Sequence, residues 1–373
     1  MGDSALTEFL LSDTTTAALT RDRRRQAILE RIAVCRTMQL GGRILHCSNC
    51  GTRVVYYNAC HQRGCPRCSG SVQSQWKRRM HHRLLRIGHN HLTFCGPDAL
   101  THAWRRYPKE VIDSLFAAVN RTLKLAAQRA ELQPGIVLIF HSHGSGMSYK
   151  AHLHGMITAG GVDAEGKWKQ NTQYGERLLG EDFRRLIIDE LAKRIPAKDV
   201  SDLQKEPLKK WKVYEVAHTD SADKLIGYFG RTQHGLVVKA DESFVVSEST
   251  VRFATHHYKE PKTTTLSREE FLNRYFAHVP PKGVVTVRHY GLYATRYGKM
   301  LNSIRSMIER PFSQEPREQP EEPVEHCPVC DHVLRTAISF ARDELPPVLR
   351  YAVLARGSPI GHGEIIEEIR FTA

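Results

Sequence analysis

The chain has 373 residues, of which 41% are apolar, and its formal net charge is +14. This length is enough for two or three domains with ordinary hydrophobic cores, so the composition excludes a disordered tail. Residues 1–20 lack the pattern of a signal peptide and the longest apolar runs are far too short to span a bilayer, so we expect a soluble cytoplasmic protein without membrane partners.

The first predicted element is a helix over residues 21–40, where Ile28 and Ile32 recur at helical spacing and Gly41 follows the end. A cysteine-rich segment over residues 46–68 comes next.

Six of the nine cysteines stand in Cys-x-x-Cys pairs, which in a reducing compartment indicates metal binding rather than disulfides. The first two pairs are separated by fourteen residues, a spacing typical of a tetrahedral zinc site. We therefore predict structural Zn²⁺ bound by Cys47, Cys50, Cys65 and Cys68. A redox dithiol is the alternative, and Cys60 and His61 are further candidates for a ligand or for the surrounding shell.

The positive charge is concentrated in one block. Between Glu30 and Asp98 there are eleven Lys and Arg residues and no acidic residue, and a basic helix is predicted over 71–87. This indicates nucleic acid as the partner, because no long apolar stretch accompanies the charge as it would at a membrane; a merely soluble basic surface is the alternative. The DNA contacts expected from this block are Arg63, Arg67, Lys77, Arg78, Arg79 and Arg83.

From residue 91 onward, apolar patterning predicts strands and helices. The strands are expected at His91–Phe94, Gly135–His143, Ala151–Thr158 and Lys212–Val216, with a hairpin-like region at Leu236–Lys239 and Val251–Ala254. Helices are expected around Val111–Val119, over 181–194, from about Asp220, and over 267–279, where Ser267 and Glu270 form a capping box.

The chain contains three His-x-His triplets, but only His152-Leu153-His154 has an apolar residue between the histidines. Alternate residues of a strand share a face, so these two imidazoles could hold one ion while Leu153 faces the core. His141 or His143 on the preceding strand could supply a third ligand. The alternative is that they are surface or satisfied core histidines.

On the helix that follows residue 220, Tyr228 shares a face with Lys224, Arg231 and Thr232. The basic neighbours would attract a phosphodiester and favour the phenolate. A partly buried structural tyrosine is the ordinary alternative. Spacing alone does not favour Tyr228 over Tyr293 and Tyr297, which lie one helical turn apart.

Residues 309–325 are rich in Pro and Glu and predict a linker, so residues 326–373 are expected to form an appendage. Within it, Cys327 and Cys330 provide half of a possible second zinc site, which His326, His332 or a distant residue would complete. No internal repeat is evident. The predicted domains are 1–86, 87–300 and 301–373.

Taken in order, the motifs resemble those of the insertion sequence 91 family of rolling-circle transposases and their common-region relatives, which are HUH-type single-strand DNA endonucleases. The resemblance runs from about residue 20 to 300. It rests on Cys47-x-x-Cys50, Cys60-x-x-Arg63-x-Cys65-Pro66-x-Cys68, Trp76, the strand from His91, His141, His152-Leu-His154, Gly160-Gly161, Trp211, Tyr228-x-Gly-Arg231, Phe271, His278-Val-Pro-Pro-x-Gly283 and Arg288 through Tyr293.

The resemblance implies an α+β fold: a zinc-binding N-terminal domain followed by a ferredoxin/RRM-like nuclease domain with an antiparallel sheet. It implies His152 and His154 as ligands of a catalytic Mg²⁺ or Mn²⁺, with His141 preferred over His143 and Gln233 as the third. Tyr228 would be the nucleophile. Thr232 stands where other members carry a second tyrosine, so the chain is similar to the single-tyrosine branch. Lys224, Arg231 and Arg288 are added to the expected DNA contacts.

The implied reaction is cleavage of single-stranded DNA at transposon ends through a 5′-phosphotyrosine, followed by joining to a target. The chain has no Walker P-loop, so a host helicase would unwind the duplex. A bacterial, nucleoid-associated location follows from the same resemblance. The alternatives are an HUH replication initiator or relaxase with the same chemistry, and a non-enzymatic zinc-finger DNA-binding regulator.

Overall fold

The structure is a computed structural model that describes residues 4–19, 21–170, 176–234, 238, 243–257, 260–308, 325–342, 344, 346–349 and 362–366. Its helices are α1 (Ala5–Leu11), α2 (Asp13–Ala18), α3 (Arg23–Ala33), α4 (Ser69–Arg83), α5 (Asp98–Arg106), α6 (Pro108–Arg129), α7 (Glu176–Ala192), α8 (Ala197–Gln204), α9 (Ala222–His234), α10 (Arg268–Ala277) and α11 (Gly298–Ile308).

The strands are β1 (Gly42–Cys47), β2 (Arg53–Tyr57), β3 (His89–Cys95), β4 (Gly135–His143), β5 (Tyr149–Thr158), β6 (Gly160–Val162), β7 (Trp168–Gln170), β8 (Lys212–Thr219), β9 (Val245–Val246), β10 (Thr250–His257), β11 (Glu260–Ser267), β12 (Val287–Gly291), β13 (Leu334–Phe340) and β14 (Ile365–Ile366).

The chain divides into two compact units, and neither is a continuous stretch of sequence. The first comprises residues 1–72, 234–254 and 317–373; the second comprises 73–233 and 255–316. The three consecutive domains predicted from the sequence are therefore wrong as a division. The predicted appendage belongs to the same unit as the N-terminal segment, because β13 pairs with β1 and β14 pairs with β2.

The sheet of the first unit has the order β13-β1-β2-β14 and is antiparallel throughout. Its core is small and consists chiefly of Ile44, Val55, Tyr57, Phe340 and Leu349. A core of this size provides little hydrophobic stabilisation to the sheet by itself.

The sheet of the second unit has the order β12-β4-β5-β3-β8, and every neighbouring pair is antiparallel. The predicted mixed α+β class with an antiparallel sheet is confirmed. One face, including Leu138 and Leu153, packs against α5 to α8 in a single large core. The other face, including Val137 and Ile139, packs against apolar side chains of α4, α9 and α11. Helices thus cover both faces of the sheet. This agrees with the consecutive apolar residues of β4, because neighbouring side chains of a strand point to opposite faces and each has to be buried.

Most predicted elements of the second unit are present. The strand predicted at Gly135–His143 is β4 residue for residue, and Ser267 caps α10 by accepting a hydrogen bond from the backbone NH of Glu270. The predicted helix over 21–40 is shorter, since α3 ends at Ala33 and Arg36 has a positive φ of 55°. Nearly all of the predicted strand Leu236–Lys239 and of the predicted linker lies outside the described residues.

None of the described helices is both long enough and apolar enough to cross a membrane.

Gly291 is the last residue of β12 and pairs with Gly135, the first residue of β4. Its φ is +55°, and a β-carbon there would collide with the carbonyl oxygen of Pro134. We expect Gly291→Ala to lower the free energy of unfolding by about 3 kcal/mol, because the strain of a left-handed conformation adds to the collision. Urea denaturation followed by circular dichroism measures the loss.

Gly283→Ala is the matched control, since Gly283 has φ +80° but no atom near the position of a β-carbon. It should cost only the conformational strain, about 1 kcal/mol. Equal losses in the two variants would contradict the role given to the collision.

Candidate active site

Three histidines meet on the face of the second unit's sheet that α4 and α9 cover. His152 and His154 lie on the central strand β5, and His141 lies directly opposite His152 on β4. All three are buried, and one ring nitrogen of each lies within 4.8 Å of those of the other two. The structure therefore groups the three residues that the sequence analysis preferred as ligands.

The two alternative third ligands are not part of this group. His143 instead packs against His278, with 4.6 Å between the ring centroids. The side chain of Gln233 lies outside the described residues.

Two imidazoles of the cluster, those of His152 and His154, are electrically neutral in this environment. Burial lowers the pKa of His152 to about 4 and the pKa of His154 well below its ordinary value, and the neighbouring histidines lower the latter further. A neutral imidazole keeps a lone pair that can bind a metal. The Nε2 atoms of His152 and His154 are 3.0 Å apart. Two nitrogens at adjacent positions of an octahedral ion, each about 2.1 Å from it, would have about this separation.

The orientation of His154 is fixed by two residues that the sequence analysis did not assign to the site. Its Nδ1 lies 2.8 Å from Nε2 of His91 and 3.0 Å from Oγ1 of Thr93. If Nδ1 carries the proton and donates to these acceptors, Nε2 is left as the ligand atom. Alternation on β3 places His91 and Thr93 on one face, but the pairing of Thr93 with His154 depends on the order of strands, which sequence does not give.

Tyr228 on α9 lies beside the cluster. Its ring centroid is 5.7 Å from that of His91 and 6.4 Å from that of His154, and the side chain is 38% exposed. The buried side chains Leu225, Ile226 and Phe229 dock the helix as predicted, with Phe229 packed edge-on against His91. Burial has the larger effect on the pKa of Tyr228 and raises it, whereas the charge of Arg231 favours the phenolate, as expected.

The two other candidate tyrosines have different surroundings. Tyr293 is 1% exposed, and its hydroxyl accepts a hydrogen bond from the backbone NH of Leu85 and lies 2.8 Å from Nε2 of His89. Tyr297 lies under the guanidinium of Arg296. Of the three tyrosines, Tyr228 is the one that the structure places next to the histidine cluster.

Several of the predicted DNA contacts lie on α9, the helix of Tyr228, and on α4, which packs against it. Lys224 and Arg231 are exposed on α9, and Arg79 is exposed on α4, where Lys77 and Arg78 are partly buried. The side chain of Lys77 packs so closely against Gly230 that a β-carbon on residue 230 would collide with it. The two basic helices are therefore in close contact beside the site.

Four other predicted DNA contacts are engaged within the protein. The guanidinium of Arg67 donates to the carbonyls of Ile32, Ala33 and Cys35, and that of Arg83 donates to the carbonyl of Tyr293. Arg288 pairs with Asp113 and lies over the ring of Phe116, while Arg63 is partly buried and burial lowers its pKa to about 10. Residue type and local charge did not distinguish these structural arginines from the exposed ones.

The cysteines form two groups of four, and the predicted grouping is wrong. Cys65 and Cys68, at the start of α4, meet Cys35 and Cys60, whereas Cys47 and Cys50, at the tip of the β1–β2 hairpin, meet Cys327 and Cys330. Cys60 was a candidate, but Cys35 was missed because it was taken as part of the preceding helix. His61 is exposed, and neither His326 nor His332 belongs to a group.

Comparison with known proteins gives two family matches. The model described as "Transposase zinc-binding domain" matches residues 10–95, and the model described as "Putative transposase" matches residues 135–300, which include His141, His152, His154 and Tyr228. The protein named "Putative transposase y4qJ" from Sinorhizobium fredii is 29% identical over 296 residues, which cover 72% of this chain and 74% of the relative.

A second relative, "Transposase for insertion sequence element IS801" from Pseudomonas savastanoi pv. phaseolicola, is 28% identical over 287 residues, covering 71% of this chain and 69% of the relative. No solved structure matches the chain significantly.

Thr93→Val removes the hydroxyl beside His154 without changing the size of the side chain. We expect the affinity of the histidine cluster for Mn²⁺ to fall about tenfold, because the ligand loses part of the support for its orientation. Calorimetric titration with Mn²⁺ measures the change. Thr122→Val, at a buried threonine that bonds the carbonyl of Ala118 in α6, is the control and should bind as the unchanged chain does. Equal affinities for all three proteins would show that Thr93 does not support the ligand.

Proposed function

Because the chain belongs to the insertion sequence 91 family of transposases, we propose that it cuts single-stranded DNA at transposon ends and joins it to a target by rolling-circle transposition. The observation that carries this proposal is the position of Tyr228. Its ring lies next to three buried histidines whose nitrogens converge on one point. A nucleophile beside a group that can bind phosphate oxygens is what phosphodiester transfer requires.

The proposed step is a transesterification. The hydroxyl oxygen of Tyr228 bonds to phosphorus, and the bond between phosphorus and the 3′ oxygen breaks. The phenol proton leaves, the 3′ oxygen gains a proton, and the 5′ end remains attached as a phosphotyrosine. One phosphoester replaces another, so the later attack by a 3′-hydroxyl of the target needs no nucleotide hydrolysis.

The histidines fit a catalytic divalent ion. His141, His152 and His154 are buried, burial keeps His152 and His154 neutral, and three imidazole ligands leave positions open for oxygen atoms. A bound Mg²⁺ or Mn²⁺ would supply Lewis-acid polarisation of the phosphate. His91 and Thr93 hold the ring of His154, and Phe229 excludes water from the side of the cluster that it covers.

The basic side chains beside Tyr228 would guide the DNA strand. Lys224 and Arg231 lie one turn before and about one turn after the tyrosine, and Arg79 is exposed on the adjacent helix. Their charges would bring the sugar–phosphate backbone to Tyr228 irrespective of base sequence. In the cell this charge would keep the protein with the nucleoid, and a host helicase would supply the single strand.

The five-stranded antiparallel sheet with its histidine-bearing central strand supports a ferredoxin/RRM-like HUH fold for the second unit. The same site would also serve a replication initiator or a relaxase, but the two transposase family matches favour transposition. A non-enzymatic zinc-finger regulator would not need a partly exposed tyrosine beside three buried imidazoles.

Tyr228→Phe should abolish the covalent adduct with single-stranded end DNA and leave DNA affinity within about twofold, because the ring and the basic residues are retained. Thr232 should not substitute, since its hydroxyl is far less acidic than a phenol. The adduct is measured as a shifted band on a denaturing gel. Tyr297→Phe is the control and should form the adduct normally. An adduct that persists in Tyr228→Phe and maps to another tyrosine by mass spectrometry would move the active site away from α9.

His152→Ala should lose nicking activity while keeping most of its DNA affinity, because affinity depends on the basic residues. Nicking by the unchanged chain should require added Mg²⁺ or Mn²⁺ and stop with EDTA. His102→Ala is the control, since His102 is exposed on α5. Normal nicking by His152→Ala, or nicking that continues in EDTA, would contradict the assigned ligands.

A further inference from the structure

Two Cys-x-x-Cys turns in the first unit have the same backbone conformation although they are far apart in sequence. In the first, the NH of Cys47 donates to the carbonyl of Thr52, and the NH of Gly51 donates to that of Cys47. In the second, the NH of Cys327 donates to the carbonyl of His332, and the NH of Asp331 donates to that of Cys327. The hydrogen bonds therefore join equivalent positions of the two turns.

The equivalence extends to the backbone angles. The residue after the second cysteine has a positive φ in both turns, +75° at Gly51 and +57° at Asp331. Outside glycine, Asn and Asp are the residues that adopt this conformation most readily. A left-handed residue directly after the second cysteine leaves both sulfurs of each pair on the same side of the turn, which is the arrangement of a zinc knuckle.

The four sulfurs of these turns converge. The Sγ atom of Cys47 is 3.5 Å from that of Cys330, and the Sγ atom of Cys50 is 3.5 Å from that of Cys327. All four lie within 4.8 Å of one another. In a tetrahedral site with Zn–S bonds of about 2.3 Å, neighbouring sulfurs are about 3.8 Å apart. The arrangement matches a four-thiolate zinc site.

The strands on either side support the same arrangement. Cys47 is the last residue of β1 and stands opposite Leu334, the first residue of β13. Beneath the sulfurs, Leu45, Val54 and Leu334 form a small apolar cluster with Cys47 and Cys327. The sheet thus brings together two turns that are about 280 residues apart in the chain.

We propose that Cys47, Cys50, Cys327 and Cys330 bind a second zinc ion, separate from one held by Cys35, Cys60, Cys65 and Cys68, and that this ion fastens the C-terminal segment to the N-terminal one. Binding replaces four thiol protons by the ion, so the protons are released to solvent. Eight of the nine cysteines are then ligands, and Cys95 remains outside both sites. The transposase zinc-binding match, which ends at residue 95, contains only half of the second site.

The test measures the number of zinc ions per purified full-length chain by elemental analysis. Each variant is compared with the unchanged chain, so that zinc bound by the histidine cluster contributes equally to both numbers and does not affect the difference. Cys327→Ser/Cys330→Ser should lose one zinc, and Cys47→Ser/Cys50→Ser should also lose one. The variant carrying all four changes should still lose only one, because both pairs hold the same ion. Cys95→Ser is the control and should lose none.

A variant that carries all four of the changes Cys327→Ser, Cys330→Ser, Cys65→Ser and Cys68→Ser should lose two zinc ions, because the two pairs belong to different sites. Cys330→His should retain the second zinc, since three thiolates and one imidazole also form a tetrahedral site. Loss of two ions in the Cys47, Cys50, Cys327 and Cys330 variant, or of none in Cys327→Ser/Cys330→Ser, would overturn the proposal.

A measurement on the unchanged chain covers the case in which the serine variants do not fold. The metal-free chain is titrated with Co²⁺, and the thiolate-to-cobalt charge-transfer absorption is followed. Cobalt on the histidine cluster has no sulfur ligand and does not contribute to this band. The absorption should rise until two equivalents are bound through sulfur, and saturation after one equivalent would overturn the second site.

Discussion

The register of three antiparallel strands determines whether the candidate active site exists. His141 faces His152 across β4 and β5, and Thr93 faces His154 across β3 and β5. A slip of one residue on β5 would turn both of its histidines toward the core of α5 to α8 and bring Leu153 to the face that now holds the histidines. The large apolar core on that side, in which Leu153 is fully buried, opposes such a slip. Hydrophobic burial on one face therefore sets the positions of the histidines on the other.

The same burial keeps His152 and His154 neutral. Phe229 and the rest of α9 cover the cluster, and the low polarity that lowers the pKa of His152 and His91 to about 4 also raises that of Tyr228. Without DNA, the site therefore holds unprotonated histidines next to a protonated phenol. The histidines keep the lone pairs with which they could bind an ion, whereas under the proposed function the phenol still has to lose its proton when it attacks a phosphodiester.

Sequence predicted the local features of this site well and the long-range ones poorly. The alternation in His152-Leu153-His154 and the apolar side of α9 are properties of single elements, and both are present in the structure. The grouping of the cysteines depends on which turns meet in space, and spacing along the chain indicated the wrong partners. A signal was available: Cys47-Ser-Asn-Cys50-Gly51 and Cys327-Pro-Val-Cys330-Asp331 each place a residue tolerant of positive φ after the second cysteine. Comparing the two turns would have paired them.

The pairing of β1 with β13 also sets the order in which the protein can be completed during synthesis. Chains emerge from the ribosome from the N-terminus, and domains generally fold as their residues become available. Residues 73–316 contain the whole of the second unit and can close their sheet while residues 317–373 are still being made. Strand β1 can pair with β2 at once, but its other partner, β13, begins only at Leu334. In each newly made molecule, the unit that contains the N-terminus is therefore the last to assemble.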